Sequence, residues 1–195
     1  DMLRDDFRPE RLKDKRLQQK VHEALSYHAR LTQAIGRRDE GSMIGDELQQ
    51  VADKMDQWIE EIYGLAQRLD QYRAQGQLFG RNKQRAQTRM DELRQRLKME
   101  GNPRVREDLE ANIQSLEYQL KTLGEIRDTM ERAELMLDNK LTAMGTIYLQ
   151  STLADVKTID SGRAQRLRQE ISEEVQEMDD ILITMDEVYA SSSEF

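Results

Sequence analysis

From Asp46 to Tyr72, apolar side chains return every three or four residues: Leu48, Val51, Met55, Trp58, Ile62, Leu65, Leu69 and Tyr72. That spacing lays a stripe along one helix face and does not fit a strand, whose faces alternate every second residue. Ala52, Ile59 and Ala66 widen the stripe, as burial against more than one neighbouring helix requires. It thins at Gln75-Gly76-Gln77-Leu78-Phe79-Gly80 and resumes through Ala86, Met90, Leu93 and Leu97. Two glycines four apart each cost a helix about 1 kcal/mol relative to alanine, so the pattern predicts a kink or break near 76–80.

Gly101-Asn102-Pro103 is the sharpest boundary. Gly101 suits a left-handed closing residue, Asn102 can cap the next helix, and Pro103 stands where its missing N–H costs nothing. A second long stripe then runs through Leu109, Ile113, Leu116, Leu120, Leu123, Met130, Leu137, Leu141, Met144 and Tyr148, interrupted by Arg127 and Glu134. Ile126, Ala133 and Ile147 supply apolar neighbours. Shorter periodic segments flank both arms. Leu12, Leu17, Val21, Ala24, Leu25, His28, Leu31 and Ile35 mark the first. Ala164, Leu167, Ile171, Val175, Met178, Leu182 and Met185 mark the last.

The predicted helices are therefore about 9–36, 45–100, 103–157 and 162–189. Each long arm spans about 80 Å at 1.5 Å per residue. The expected fold is all-α: an elongated antiparallel coiled-coil hairpin, with two short outer helices forming a four-helix bundle at one end. A two-helix finger over about 75–130 would project from a base formed by the remainder. In this register Trp58 lies beside Gly145, a mid-helix glycine that would admit the indole.

Charge supports the pairing of the outer helices. Residues 1–38 hold ten Lys or Arg and six Asp or Glu, whereas residues 160–195 hold three and ten. The formal net charge of -8 argues against a nucleic-acid coat. No uncharged apolar run approaches a membrane span. The absence of Cys removes disulfides and thiolate chemistry and suits a cytoplasmic setting, with membrane association as an alternative. The chain begins at Asp1, which leaves open a signal or anchor ahead of it.

Candidate chemistry is sparse. His22 and His28 lie six apart on different helix faces, and neither follows an acidic residue by three, as a carboxylate-bridged metal site in a bundle would require. No phosphate-binding loop or dinucleotide glycine pattern occurs. Glu60 and Glu61, and the outward row Glu173, Glu177 and Asp180, read as solubilising groups. No catalytic residue, metal, cofactor or small-molecule substrate is expected.

The expected activity is that of a non-catalytic scaffold or adaptor, working through self-association or contact with another protein. Met90, Leu93, Leu97, Leu109 and Ile113 on the finger are the expected contact residues, because a two-helix seam covers its apolar stripe incompletely. Arg81, Lys83, Arg85, Arg89, Arg94, Arg96 and Lys98 form a basic stripe suited to an acidic partner or phosphate, paired in part by Glu107, Asp108, Glu110 and Glu117. The alternative is peripheral membrane remodelling or sensing, with anionic lipid bound by that stripe or by the first helix through Phe7, Leu12, Leu17 and Val21. Gly101, Asn102, Pro103, Trp58 and Gly145 carry structural roles.

Overall fold

The computed structural model describes residues 7–35, 43–153 and 161–192, and side-chain surroundings for 7–33, 50–149 and 162–190. Among these residues there is no strand. A 3-10 turn at Pro9–Arg11 precedes four helices: α1 (Lys15–Ile35), α2 (Met43–Met99), α3 (Pro103–Leu153) and α4 (Ser161–Ser192). Residues 36–42, between the first two expected helices, lie outside the described residues, as do the end of the 103–157 helix and the surroundings of Leu48. The chain divides into two compact units, Asp1–Asp70 with Ala133–Ile183, and Gln71–Arg132 with Thr184–Phe195.

The first unit is bundle-like. Its core takes Leu17, Val21 and Leu31 from α1, the row Met55, Trp58, Ile62, Leu65 and Leu69 from α2, Leu137 and Met144 from α3, and Ile171 and Met178 from α4. Burying each such side chain contributes about 1.5–3 kcal/mol, so this row outweighs any polar contact around it. Cross-helix contacts give the directions. His28 meets Asp56 while Asp14 meets Asp70, so α1 runs against α2. Lys20 pairs with Asp138 and Tyr27 lies over Gly145, so α1 runs along α3. Gln50 meets Arg168 and Gly64 meets Leu182, so α2 runs along α4.

The first helix starts later than the periodicity suggests. Asp14 is its N-cap: Oδ1 accepts from Arg16 N at 2.7 Å and from Leu17 N at 3.3 Å. Upstream, the buried Asp70 of α2 accepts hydrogen bonds from Lys13 N at 3.0 Å and Asp14 N at 2.7 Å. Tyr63 donates its hydroxyl to Arg8 O at 3.1 Å and packs against Phe7 with ring centroids 5.5 Å apart. The segment 7–14 is thus a strap fastened to α2. Pro9 opens a 3-10 turn rather than α1 because these side-chain acceptors satisfy the backbone donors that a longer helix would use internally.

In the second unit, α2 is continuous through Gly76 and Gly80, contrary to a break there. A Cβ at either glycine would meet nothing within 4 Å. Tyr72 and Phe79 stack across the region at 5.6 Å, and Phe79 meets Tyr189 edge-on at 6.4 Å. The segment past residue 75 therefore touches α4 as well as α3. Burial, and to a lesser degree Tyr72, pushes the Tyr189 phenol up to about 12.

The connection between α2 and α3 is the three residues Glu100 to Asn102. Asn102 caps α3, accepting from Arg104 N at 3.0 Å, as expected. Gly101 does not take the left-handed backbone the sequence suggests. The last carbonyls of α2 are met instead by the Arg106 guanidinium, 2.9 Å from Leu97 O and 3.2 Å from Glu100 O. With Arg94 paired to Glu117 at 2.7 Å, the chain reverses at this corner.

Asp70→Ala leaves two backbone donors without their acceptor and should lower unfolding free energy by about 1–3 kcal/mol in urea titration. Asp70→Asn, which keeps one acceptor oxygen, should cost less; equal stability of all three proteins would contradict the strap. Gly76→Ala and Gly80→Ala occupy open helical positions. Each should raise stability by about 0.5–1 kcal/mol, and a loss would contradict a continuous helix there.

Candidate interaction surface

The expected contact residues are turned inward more than a binding face requires. Met90, Leu109 and Ile113 are buried, together with Ala86, and Leu93 and Leu97 are half-buried. Their three-and-four spacing aims them into the chain's own interior, with Leu93 and Leu97 the less completely covered positions. Other large apolar groups remain outside: Leu78 (57% exposed) and Met99 (90%) on α2, Tyr118, Leu135 and Leu149 on α3, and Ile183 on α4.

All seven residues of the basic stripe are exposed. Arg94 is held by Glu117, as the charge pattern suggests. Glu110 turns to Arg106 of its own helix at 3.9 Å. Arg81, Arg85 and Arg89 follow one another at intervals of four, and Arg96 returns to the same flank seven residues later. Among the described residues these four have no carboxylate partner. Leu78 and Met99 stand at the two ends of this flank. The result is a regularly spaced row of guanidinium groups whose planar forks remain open to bidentate acceptors.

A groove of about 750 Å³ lies between α1 and α3. Gly145 forms its notch, but the group it admits is Tyr27, not Trp58: a Cβ at 145 would lie 3.2 Å from Tyr27 Cζ and Oη. Glycine faces α1 here because Met144, one residue earlier, takes the core position. Tyr27 packs against Tyr148 at 5.8 Å, and Arg30 sits over the Tyr148 ring at the same distance. Burial, then the nearby Glu23 carboxylate, raises the Tyr27 phenol. Trp58 itself is fully buried, and its indole N–H has no acceptor among the described residues, a cost of about 1–3 kcal/mol that its apolar burial must offset.

Lys140 is an ionisable group that the sequence reading passed over. It is 3% exposed and places Nζ 2.5 Å from carboxylates of both Glu174 and Glu177. Burial alone would lower its pKa, but the two hydrogen-bonded carboxylates more than offset this and raise it. Glu177 is therefore an ion-pair partner rather than a free solubilising group. The signal was present: Lys140 follows Leu137 by three and precedes Met144 by four, which is a seam position. His28 is likewise buried, with Nε2 2.6 Å from Asp56 Oδ1. His22 lies 3.6 Å from Glu10 at the surface. Among the described residues no group of three or more His, Cys, Asp or Glu is placed to hold a metal ion, and no helix is long and apolar enough to cross a membrane.

The chain matches no protein-family model, no curated protein and no solved structure.

Glu61 supplies a test of the electrostatics. Burial first, then the charges of Asp179 and Glu60, raise its pKa against the opposing pull of Arg68. A carboxyl raised in the folded state contributes stability that is complete in acid, below its unfolded value, and is lost as pH rises through its folded value. Glu61→Gln should therefore be more stable than the native chain at neutral pH. The gap should close below about pH 4, where the native carboxyl is protonated in both states. Thermal denaturation across pH measures this, and a variant less stable at pH 7 would contradict it.

Proposed function

We propose that this chain is a non-catalytic helical scaffold or adaptor that works by self-association or by binding another protein. The observation that carries the reading is the exposed arginine row Arg81, Arg85, Arg89 and Arg96 on one helix flank, which has no carboxylate partner among the described residues. Such a row adds little to the stability of its own fold, since even paired surface charges contribute about 0–1 kcal/mol. Across an interface, complementary charge instead governs partner choice and encounter rate.

In the architecture we propose, α2 and α3 form an antiparallel coiled-coil hairpin, and α1 and α4 complete a four-helix bundle at the end away from Asn102. The cross-helix contacts among α1, α2, α3 and α4 in the first unit and the reversal at the Asn102 corner support it. A hairpin of this kind holds side chains at fixed intervals over a long distance, which suits spacing or joining other molecules.

Anionic lipid is the second reading, favoured by the same open guanidinium groups. The first helix offers it little: Leu12, Leu17 and Val21 are buried inside the first unit and Phe7 lies against Tyr63.

Light scattering coupled to size-exclusion chromatography, over a hundredfold range of concentration, tests the leading reading. The expected result is a mass above that of one chain, increasing with concentration. A single-chain mass throughout, with recovery on phosphatidylserine vesicles that falls as salt is raised, would replace it with the lipid reading.

A further inference from the structure

We propose that the arginine flank of α2 docks on the acidic outer face of α4 in a second copy of this chain, the two helices running antiparallel. The inference rests on the self-association reading and adds the two surfaces that meet. Glu170, Glu173, Glu177 and Asp180 are exposed on α4, away from its buried row Ile171, Val175, Met178 and Leu182. Ile183, 51% exposed, follows the acidic residues. On α2, Leu78 precedes the arginines.

Reading the two rows in opposite directions brings them into register. With Leu78 against Ile183, a residue-by-residue advance sets Arg81 against Asp180 and brings Arg89 to Glu173 within one position. Both helices rise about 1.5 Å per residue, so the coincidence holds along the whole contact of roughly 16 Å. Within residues 78–89 the two ends are an apolar pair and a charge pair, and the guanidinium forks can take carboxylates two oxygens at a time; the contact stops short of Glu170, which this register would set against Asp91. A parallel alignment with Leu78 on Ile183 would run the arginines past the acidic row toward Asp186 and Glu187 and leave Glu173 without a partner.

The acidic helix is favoured over anionic lipid by a feature of this chain. No apolar row accompanies the arginines to enter a bilayer, since the seam residues Met90 and Ala86 are buried.

Charge reversal tests the pairing. Arg81→Glu with Arg89→Glu, and separately Glu173→Arg with Asp180→Arg, should each weaken self-association by about tenfold or more, with helicity by circular dichroism unchanged. Mixing the two variants should restore association, because the reversed flank of one then faces the reversed helix of the other. A chain with Leu78→Cys mixed with a chain carrying Ile183→Cys should form a disulfide-linked pair under mild oxidation, against a background that contains no other cysteine.

If the native chain associates but the arginine reversal leaves its affinity unchanged, this docking is wrong and the self-association reading stands. Weakening without restoration on mixing overturns α4 as the partner surface. A native chain that stays monomeric at all concentrations overturns both, and capture of that monomer on phosphatidylserine vesicles, lost in the arginine variant, would assign the flank to lipid.

Discussion

The width of the apolar stripe on α2 constrains everything else in this protein. Between Val51 and Leu69 the stripe includes Ala52, Ile59 and Ala66, and every one of these positions is buried. A face that broad cannot be covered by one neighbour, and α2 meets both α1 and α4 there. Beyond Phe79 the buried positions contract to Ala86 and Met90, with Leu93 and Leu97 half-covered. One continuous helix thus changes its packing demand along its length without changing its secondary structure.

Much of this was legible in the amino-acid order. The row from Val51 to Leu69, the first-helix positions from Leu17 to Leu31 and the Asn102 cap occupy the roles their periodicity and chemistry suggest. What escaped was set by contacts between residues distant in sequence. Gly101 looked like a left-handed terminator, but Arg106 reaches back to the carbonyls that such a glycine would have freed the backbone to satisfy. Register alone sets Gly145 beside Trp58, yet a rotation of one position decides which neighbour a helical residue faces, and that neighbour is Tyr27. The start of α1 depends on Asp70, a carboxylate more than fifty residues away. The inward turn of Met90, Leu109 and Ile113 followed from the same periodicity that made them look available as a contact face.

Polar groups divide into two kinds by what they touch. Asp70, Lys140 and His28 are buried and each has a specific partner, as burial of a polar or charged group demands. They fix the strap to α2, α3 to α4 and α1 to α2, and so select an arrangement that apolar burial alone would leave degenerate. The arginines at 81, 85, 89 and 96 are the opposite case, spaced regularly and open to solvent. The contrast separates charges committed to holding the fold from charges that remain at the surface, of which the arginine row on α2 is the most regular.

Hydrogen–deuterium exchange along α2 tests most directly whether one uninterrupted helix carries two packing regimes. Amides from Val51 to Leu69 should exchange slowest, with a gradual increase in rate toward Leu97 and no fast-exchanging island at Gly76–Gly80. Rapid exchange confined to those glycines, or protection that is greater from Arg81 to Leu97 than from Val51 to Leu69, would contradict it.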